Sequence, residues 1–315
     1  MKRTFHTVVV VALAAPVLVL GQAHDVSKVL ADMRSALGGD KLEAVRTMAI
    51  EGTSTRTVSE GESHASNFEM AFELPDKYVT TNVLGNINGF DILRTTGFNG
   101  SDLIDHTEMP PNMGGAHMIR IGTPGGAAAG GELTPEQEAA QQAALVRRNK
   151  TEFARLALGM FGSGLPDYPL EFAYAGMAEA PDGTAHVLDV SGDGEFAVRL
   201  FIDSETNLPL MLSWMAPEPL VITAGGPGGG RMMTRTVTRG GSEQVRADTE
   251  RELREAEANR RTVEYRMFYA DYREFEGVQI PTRIQRMVDG SPTEEITFDK
   301  IEVNKTLDAK TFEGR

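Results

Sequence analysis

The sequence predicts a mainly β protein, a large antiparallel sheet with a few helices packed on it. Apolar residues alternate with polar ones along several separate runs, the period of a strand with one buried face. Turn-forming pairs recur between those runs at short intervals, as antiparallel pairing allows and parallel crossovers do not. A helical period appears clearly in only two places, one near the amino terminus and one in mid-chain.

The chain of 315 residues opens on a secretion signal. Lys2 and Arg3 precede an apolar run from Val8 to Leu20, and Gly21-Gln22-Ala23 offers small residues for cleavage. That run falls short of the ~20 residues needed to span a bilayer. No cysteine follows it, so the exported protein is expected to be unlipidated, soluble and periplasmic or secreted. What remains, residues 24–315, reads as a single domain.

Asp25 is expected to cap a first helix in which Val26, Val29, Leu30, Met33 and Leu37 share a face. Gly38-Gly39 stops it, and Asp40 is expected to cap a short second turn. From Thr47 the period becomes 2. Phe68, Met70, Phe72 and Leu74 form one stripe, and Tyr168, Leu170, Phe172 and Tyr174 another. Phe196 to Ile202, Leu208 to Trp214 and Val263 to Tyr269 repeat the pattern. Turns are expected at Pro75-Asp76, Asn99-Gly100, Asp182-Gly183, Asp193-Gly194, Glu276-Gly277 and Asp289-Gly290.

Between these runs, Thr134-Pro-Glu-Gln137 is a capping box with proline at the first helical position. It should start a long helix reaching Gly162, packed only through its second half, where Phe153, Leu156, Ala157 and Met160 recur. Two glycine-rich stretches mark insertions, at about 122–150 and 217–262. The second contains Gly225-Gly-Pro-Gly-Gly-Gly230 and a Glu/Arg-rich arm with too thin an apolar stripe to dock firmly. Pro209 and Pro281 suggest edge or bulged strand positions.

Composition excludes several functions. The net charge of −14 becomes more negative once the basic signal is removed, which argues against nucleic acid and anionic membrane surfaces. Without cysteine there is neither a disulfide nor thiol chemistry. The histidines show no zinc-ligand spacing. Asp102, Asp105, His106 and Glu108 cluster on one segment, read as a polar edge strand or turn in preference to a metal or hydrolase site. Asp189 to Gly194 imitates the start of a calcium loop, but its twelfth position is Leu200, so a hairpin is expected. No phosphate loop, dinucleotide fingerprint or nucleophile elbow is present. The reading is therefore non-enzymatic, with no cofactor and no metal.

The order of several phrases resembles the LolA-like lipoprotein-carrier superfamily. They are the helix ending at Gly38-Gly39, the strand from Met48 to Arg56, the Phe98-Asn99-Gly100 turn and the helix end from Phe153 to Phe161. Asp203, Thr206 and Pro209 follow, then Gly277, Val278 and Pro281, and finally Val303, Asn304 and Phe312. The resemblance implies a strongly curved, unclosed half-barrel covered on its concave side by helices. It also implies a carrier of lipid, lipoprotein acyl chains or other apolar ligand. The groove is expected to be lined by Met48, Ile50, Phe68, Met70, Phe72, Phe172, Leu210, Leu212 and Trp214, with methionines among them supplying an adaptable surface. The alternative is an envelope-stress sensor on the same fold that binds a membrane protein.

Overall fold

A computed structural model describes residues 25–59, 62–87, 89–108, 134–165, 168–181, 183–194, 196–219, 255 and 258–313. The signal segment and most of the Glu/Arg-rich arm lie outside the described residues, as do the glycine-rich runs. Residues 135–150 of the first expected insertion are the opening half of a helix.

The chain begins with α1 (Val26–Leu37) and the short α2 (Asp40–Glu43). Asp25 caps α1 by accepting from the Ser27 amide. Gly38, at φ 136°, ends it in a conformation that disfavours side chains, and an added Cβ would meet the Gly277 carbonyl at 2.7 Å. Asp40 is not a cap as expected: Gly39 takes the N-cap position without any side-chain bond, and Asp40 is the first helical residue.

Five strands follow as a meander: β1 (Thr47–Ser59), β2 (Glu62–Glu73), β3 (Lys77–Ile87), β4 (Phe90–Asn99) and β5 (Asp102–Glu108). The 27-residue helix α3 (Pro135–Phe161) comes next. A second meander runs through β6 (Leu170–Ala180), β7 (Gly183–Gly192), β8 (Ala197–Asp203) and β9 (Pro209–Pro217). It continues with β10 (Thr262–Phe275), β11 (Val278–Val288) and β12 (Ser291–Val303). The chain ends on a 3-10 turn, Ala309–Phe312.

All twelve strands form one antiparallel sheet in the order β5-β4-β3-β2-β1-β12-β11-β10-β9-β8-β7-β6. First and last strands pair at the centre, so the two meanders join there and the sheet stays open at β5 and β6. The connection between those edges contains α3. At 1.5 Å per residue α3 is about 40 Å long, while twelve strands laid flat would span roughly 53 Å. One face of the sheet curves around the helix, and the apolar stripes of both meanders meet on it.

The turns expected at Pro75-Asp76, Asn99-Gly100, Asp193-Gly194, Glu276-Gly277 and Asp289-Gly290 connect these strands, and Asp182 lies outside the described residues. Of the two forms expected for Asp102 to Glu108, edge strand or turn, the segment takes the strand. Each α3 terminus follows its sequence: Thr134 and Gln137 bond reciprocally, and Gly162 closes the helix at φ 60°. Packing is concentrated in the second half, where Phe153, Ala154 and Leu156 to Phe161 are buried; Val146 is the buried residue of the first half. The Phe153 ring stacks on Tyr78 at 4.3 Å and meets Phe72 at 5.4 Å and Phe98 at 6.1 Å. Phe72 also meets Phe161 at 5.5 Å.

Several of the sequence phrases noted above have local structural causes. Asp203 accepts from the amides of Glu205 and Thr206 and from the Thr206 hydroxyl, which shapes the β8–β9 turn. Asn304, at φ 54°, accepts from the Arg46 amide at 2.8 Å and donates to the Ala44 carbonyl, tying the end of β12 to the start of β1. Pro209 sits at a register shift between β8 and β9. Pro281 lies on an interior strand, in the stretch of β11 paired only with β10. Both places lack a ladder bond that proline could not make.

Candidate functional site

The concave face is divided by α3. Under its last turns the sheet is closed by packing. Beside its middle turns, from Leu145 to Leu156, a cavity of about 420 Å³ remains. Its floor is built by inward residues of seven strands: Arg56, Phe68, Tyr78, Thr80, Asn82, Leu84, Arg94, Thr96, Leu103 and Asp105 on one meander, and Ile284, Arg286, Glu294, Ile296 and Phe298 on the other. Its roof is the exposed flank of α3, with Leu145, Arg148, Asn149, Glu152 and Leu156. The Asn149 amide donates to the Gly97 carbonyl at 3.0 Å and fixes the roof to β4.

One wall is apolar. Phe68 and Phe298 stack with ring centroids 6.2 Å apart, and Ile284, Ile296, Leu103 and Leu156 extend the surface. The opposite character comes from a charged ladder across β1, β12 and β11, where Arg56, Glu294 and Arg286 stand directly opposite one another. Glu294 accepts from Arg56 Nε and Ser54 Oγ, each at 2.8 Å, and pairs with Arg286 at 3.3 Å. Burial raises the pKa of Glu294, and the two arginines with the bonds from Arg56 and Ser54 more than offset it, leaving the pKa lowered. Burial likewise opposes the charge on Arg286, but Glu294 and Glu152 outweigh it and its pKa is raised. Although enclosed by protein, Arg286 keeps 35% of its side-chain surface accessible. Burial pushes the Tyr78 hydroxyl well above the ordinary phenol range.

The expected groove residues separate on this frame. Only Phe68 lines the cavity. Met48, Ile50, Met70 and Phe72 are buried core beneath the helices, and Leu212 is fully covered. Trp214 stacks on Tyr265 at 5.5 Å and lies 4.4 Å from the Arg155 guanidinium, away from the cavity. Phe172 is half-buried near the β6 edge and, with Trp214, touches a second, more open depression of about 600 Å³ along β6–β10. Most of that depression is lined by outward residues such as Glu171, Asp189, Arg199 and Met215.

Leu210 departs from its stripe. The register between β8 and β9 slips between Phe201 and Ile202, pairing them with Met211 and Pro209, and Leu210 is left 39% exposed. A bulge shifts which side of the sheet successive residues face, so simple alternation from Leu212 fails there. The methionines divide likewise: Met48, Met70 and Met267 are core, while Met215 is 62% exposed.

The acidic cluster on β5 also separates by alternation. Asp105 lines the cavity and pairs with Arg94 at 3.0 Å. His106 is paired with Thr95 on the opposite face, 3.8 Å from Glu108. Among the described residues no three His, Asp or Glu groups come together as a metal site requires. Asp189 pairs across its hairpin with Arg199 at 2.8 Å.

The charged ladder was not singled out from sequence, though a signal for it existed. Arg286 shares the parity of Ile280 and Ile284, and Glu294 that of Ile296 and Phe298, so each is a charge at an inward position. Such placements are rare unless paired.

No family model matches the sequence, and no curated protein matches it either. Among solved structures, the chain is similar to a LolA superfamily protein from Nitrosomonas europaea, at 11% identity and a TM-score of 0.47, covering 92% of this chain and 98% of that one. It is similar to a putative outer membrane lipoprotein-sorting protein domain from Vibrio parahaemolyticus, at 9% identity and a TM-score of 0.46, covering 91% and 97%. It is also similar to a DUF1329 family protein from Desulfovibrio piger, at 12% identity and a TM-score of 0.45, covering 92% and 98%.

Proposed function

We propose that this chain is a periplasmic or secreted binding protein that carries a lipid, a lipoprotein acyl chain or a similar apolar molecule. The observation that carries this reading is the cavity left open between the middle turns of α3 and the curved sheet. Its volume falls within the range usual for small-molecule sites. One apolar wall beside a few fixed polar groups is the composition such sites need: burial supplies affinity and the polar groups set orientation. The signal-like segment before Ala23 supports export. Among the described residues no helix is long and apolar enough to cross a membrane.

The reading is non-enzymatic. Asp105 is committed to Arg94, and His106 faces away from the cavity, so the two groups most suited to hydrolysis do not act on one space.

Native mass spectrometry of the protein purified from its own cell envelope tests the proposal. Co-purified lipid, with affinity for added fatty acids rising by ~0.8 kcal/mol per methylene, is the expected result. A protein free of lipid, with no chain-length dependence, overturns it. A co-purified membrane protein would favour a sensor role instead.

A further inference from the structure

We propose that the cavity beside α3 takes an amphiphile with an anionic head, an oxyanion of carboxylate or phosphate type on an acyl tail, with the head seated against Arg286 and Arg56. This rests on the binding reading above and names its ligand class.

The cavity holds unmatched hydrogen-bond donors. Two guanidiniums share a single carboxylate, Glu294, which also accepts from Ser54. A guanidinium offers five N–H donors. Among the described residues Arg286 has Glu294 as its one acidic contact, and its buried Nε–H has no acceptor. Donors left this way in a desolvated site are costly, and an incoming oxyanion relieves them.

The other acids around the cavity are paired elsewhere, and Glu152 acts on Arg286 only at a distance. Asp105 is paired with Arg94 at 3.0 Å and Glu152 with Arg155 at 2.6 Å. Arg148, exposed at the roof, has no acidic partner among the described residues. The cavity is therefore locally positive in a chain whose net charge is −14. The attraction is local and acts in a partly dry space, where it is stronger than in water.

A head alone does not fill the site. Phe68, Phe298, Ile296 and Leu156 form a continuous apolar surface beside the arginines, which an inorganic anion would leave wet. A tail alone would leave Arg286 short of acceptors. Carboxylate and phosphate both match the planar fork of a guanidinium, so they share one recognition chemistry.

Binding of palmitate, methyl palmitate, a single-chain lysophosphatidate and inorganic phosphate should be compared on the full exported chain, by calorimetry above the carboxyl titration range. The two tailed anions should bind about tenfold or more tighter than methyl palmitate. That preference should shrink as salt is raised. The tighter of the two identifies the head as carboxylate or phosphate. Arg286→Gln should abolish the preference while leaving methyl palmitate affinity unchanged, and Arg286→Lys should retain part of it. The salt series on unmodified protein decides the matter if the variants fold poorly. Equal binding of palmitate and its methyl ester at low salt would overturn the anionic head yet leave the carrier reading standing. Inorganic phosphate binding as tightly as lysophosphatidate would overturn the amphiphile. Failure of every tailed ligand to bind would overturn the carrier reading itself.

Discussion

Gly159 of α3 and Tyr269 of β10 are in direct contact: a Cβ on Gly159 would stand 1.9 Å from Tyr269 Cζ. The same tyrosine donates to the Arg155 carbonyl at 2.8 Å, one turn earlier on the helix. The missing side chain thus lets α3 approach the sheet closely enough for a strand residue to hydrogen-bond its backbone.

Gly159→Ala should therefore destabilise the fold by about 1–3 kcal/mol, the cost usual for overpacking. Tyr269→Phe, which keeps the ring and loses the bond, should cost about 1 kcal/mol. Combining Gly159→Ala with Tyr269→Leu should recover part of the loss, because the residues touch. Urea midpoints of these proteins and of the Tyr269→Leu single variant check this, and strictly additive losses would show that the contact does not set the helix position.

The ladder predicts a pH dependence. The pKa of Glu294 is lower folded than unfolded, so its stabilisation is present above the ordinary carboxyl value of 4.5. It disappears as pH falls through the lower folded value. Glu294→Gln should cost roughly 1–3 kcal/mol near neutrality, since it leaves Arg56 and Arg286 without a carboxylate. The gap to the unmodified protein should narrow on acidification below that carboxyl value. Denaturant titrations across pH measure it, and a gap that is constant with pH would refute the assignment.

Thr80 and Thr96 face each other across β3 and β4 with their hydroxyls 3.3 Å apart, and both line the cavity. Thr80→Phe should fill that end of the space. Affinity should then stop rising at a shorter acyl chain, since each further buried methylene is worth ~0.8 kcal/mol. A chain-length series on both proteins checks this, and an unchanged plateau would place the tail elsewhere.

Strands β9 and β10 pair up to Pro217 and Thr262, and just beyond them the Glu218 amide donates to the Arg261 carbonyl at 2.8 Å. Arg261 also pairs with the Glu218 carboxylate at 3.0 Å. The base of the arm is therefore closed by its own strands. Replacing residues 221–257 by a short turn should shift the Tm by no more than about 4 °C, because loop length affects stability weakly. Faster ligand release from the shortened protein is expected if the arm covers the cavity mouth. A deletion that unfolds the chain would show that the arm is packed into the sheet.

Local signals in the sequence located β1, β2, β6, β8, β9 and β10, the turns among the described residues and both ends of α3, but not β3, β4 or β7. Alternation, Asp-Gly and Asn-Gly pairs, the Thr134 capping box and the Gly162 stop act over a few residues and need no distant partner. They marked β5 as a polar edge strand or turn without deciding between the two. The same signals could not show that Met48, Ile50, Met70, Phe72 and Leu212 are covered by helices, since apolar alternation marks a buried face without saying what buries it. Nor could they place Leu210, because a bulge depends on the register of two strands. The candidate site was decided by tertiary structure alone. Arg56, Arg286 and Glu294 lie on three different strands, and only pairing of the first strand with the last brings Arg56 opposite Glu294, more than two hundred residues away. Electrostatic partnership across that separation is a property of strand order, which no local pattern encodes.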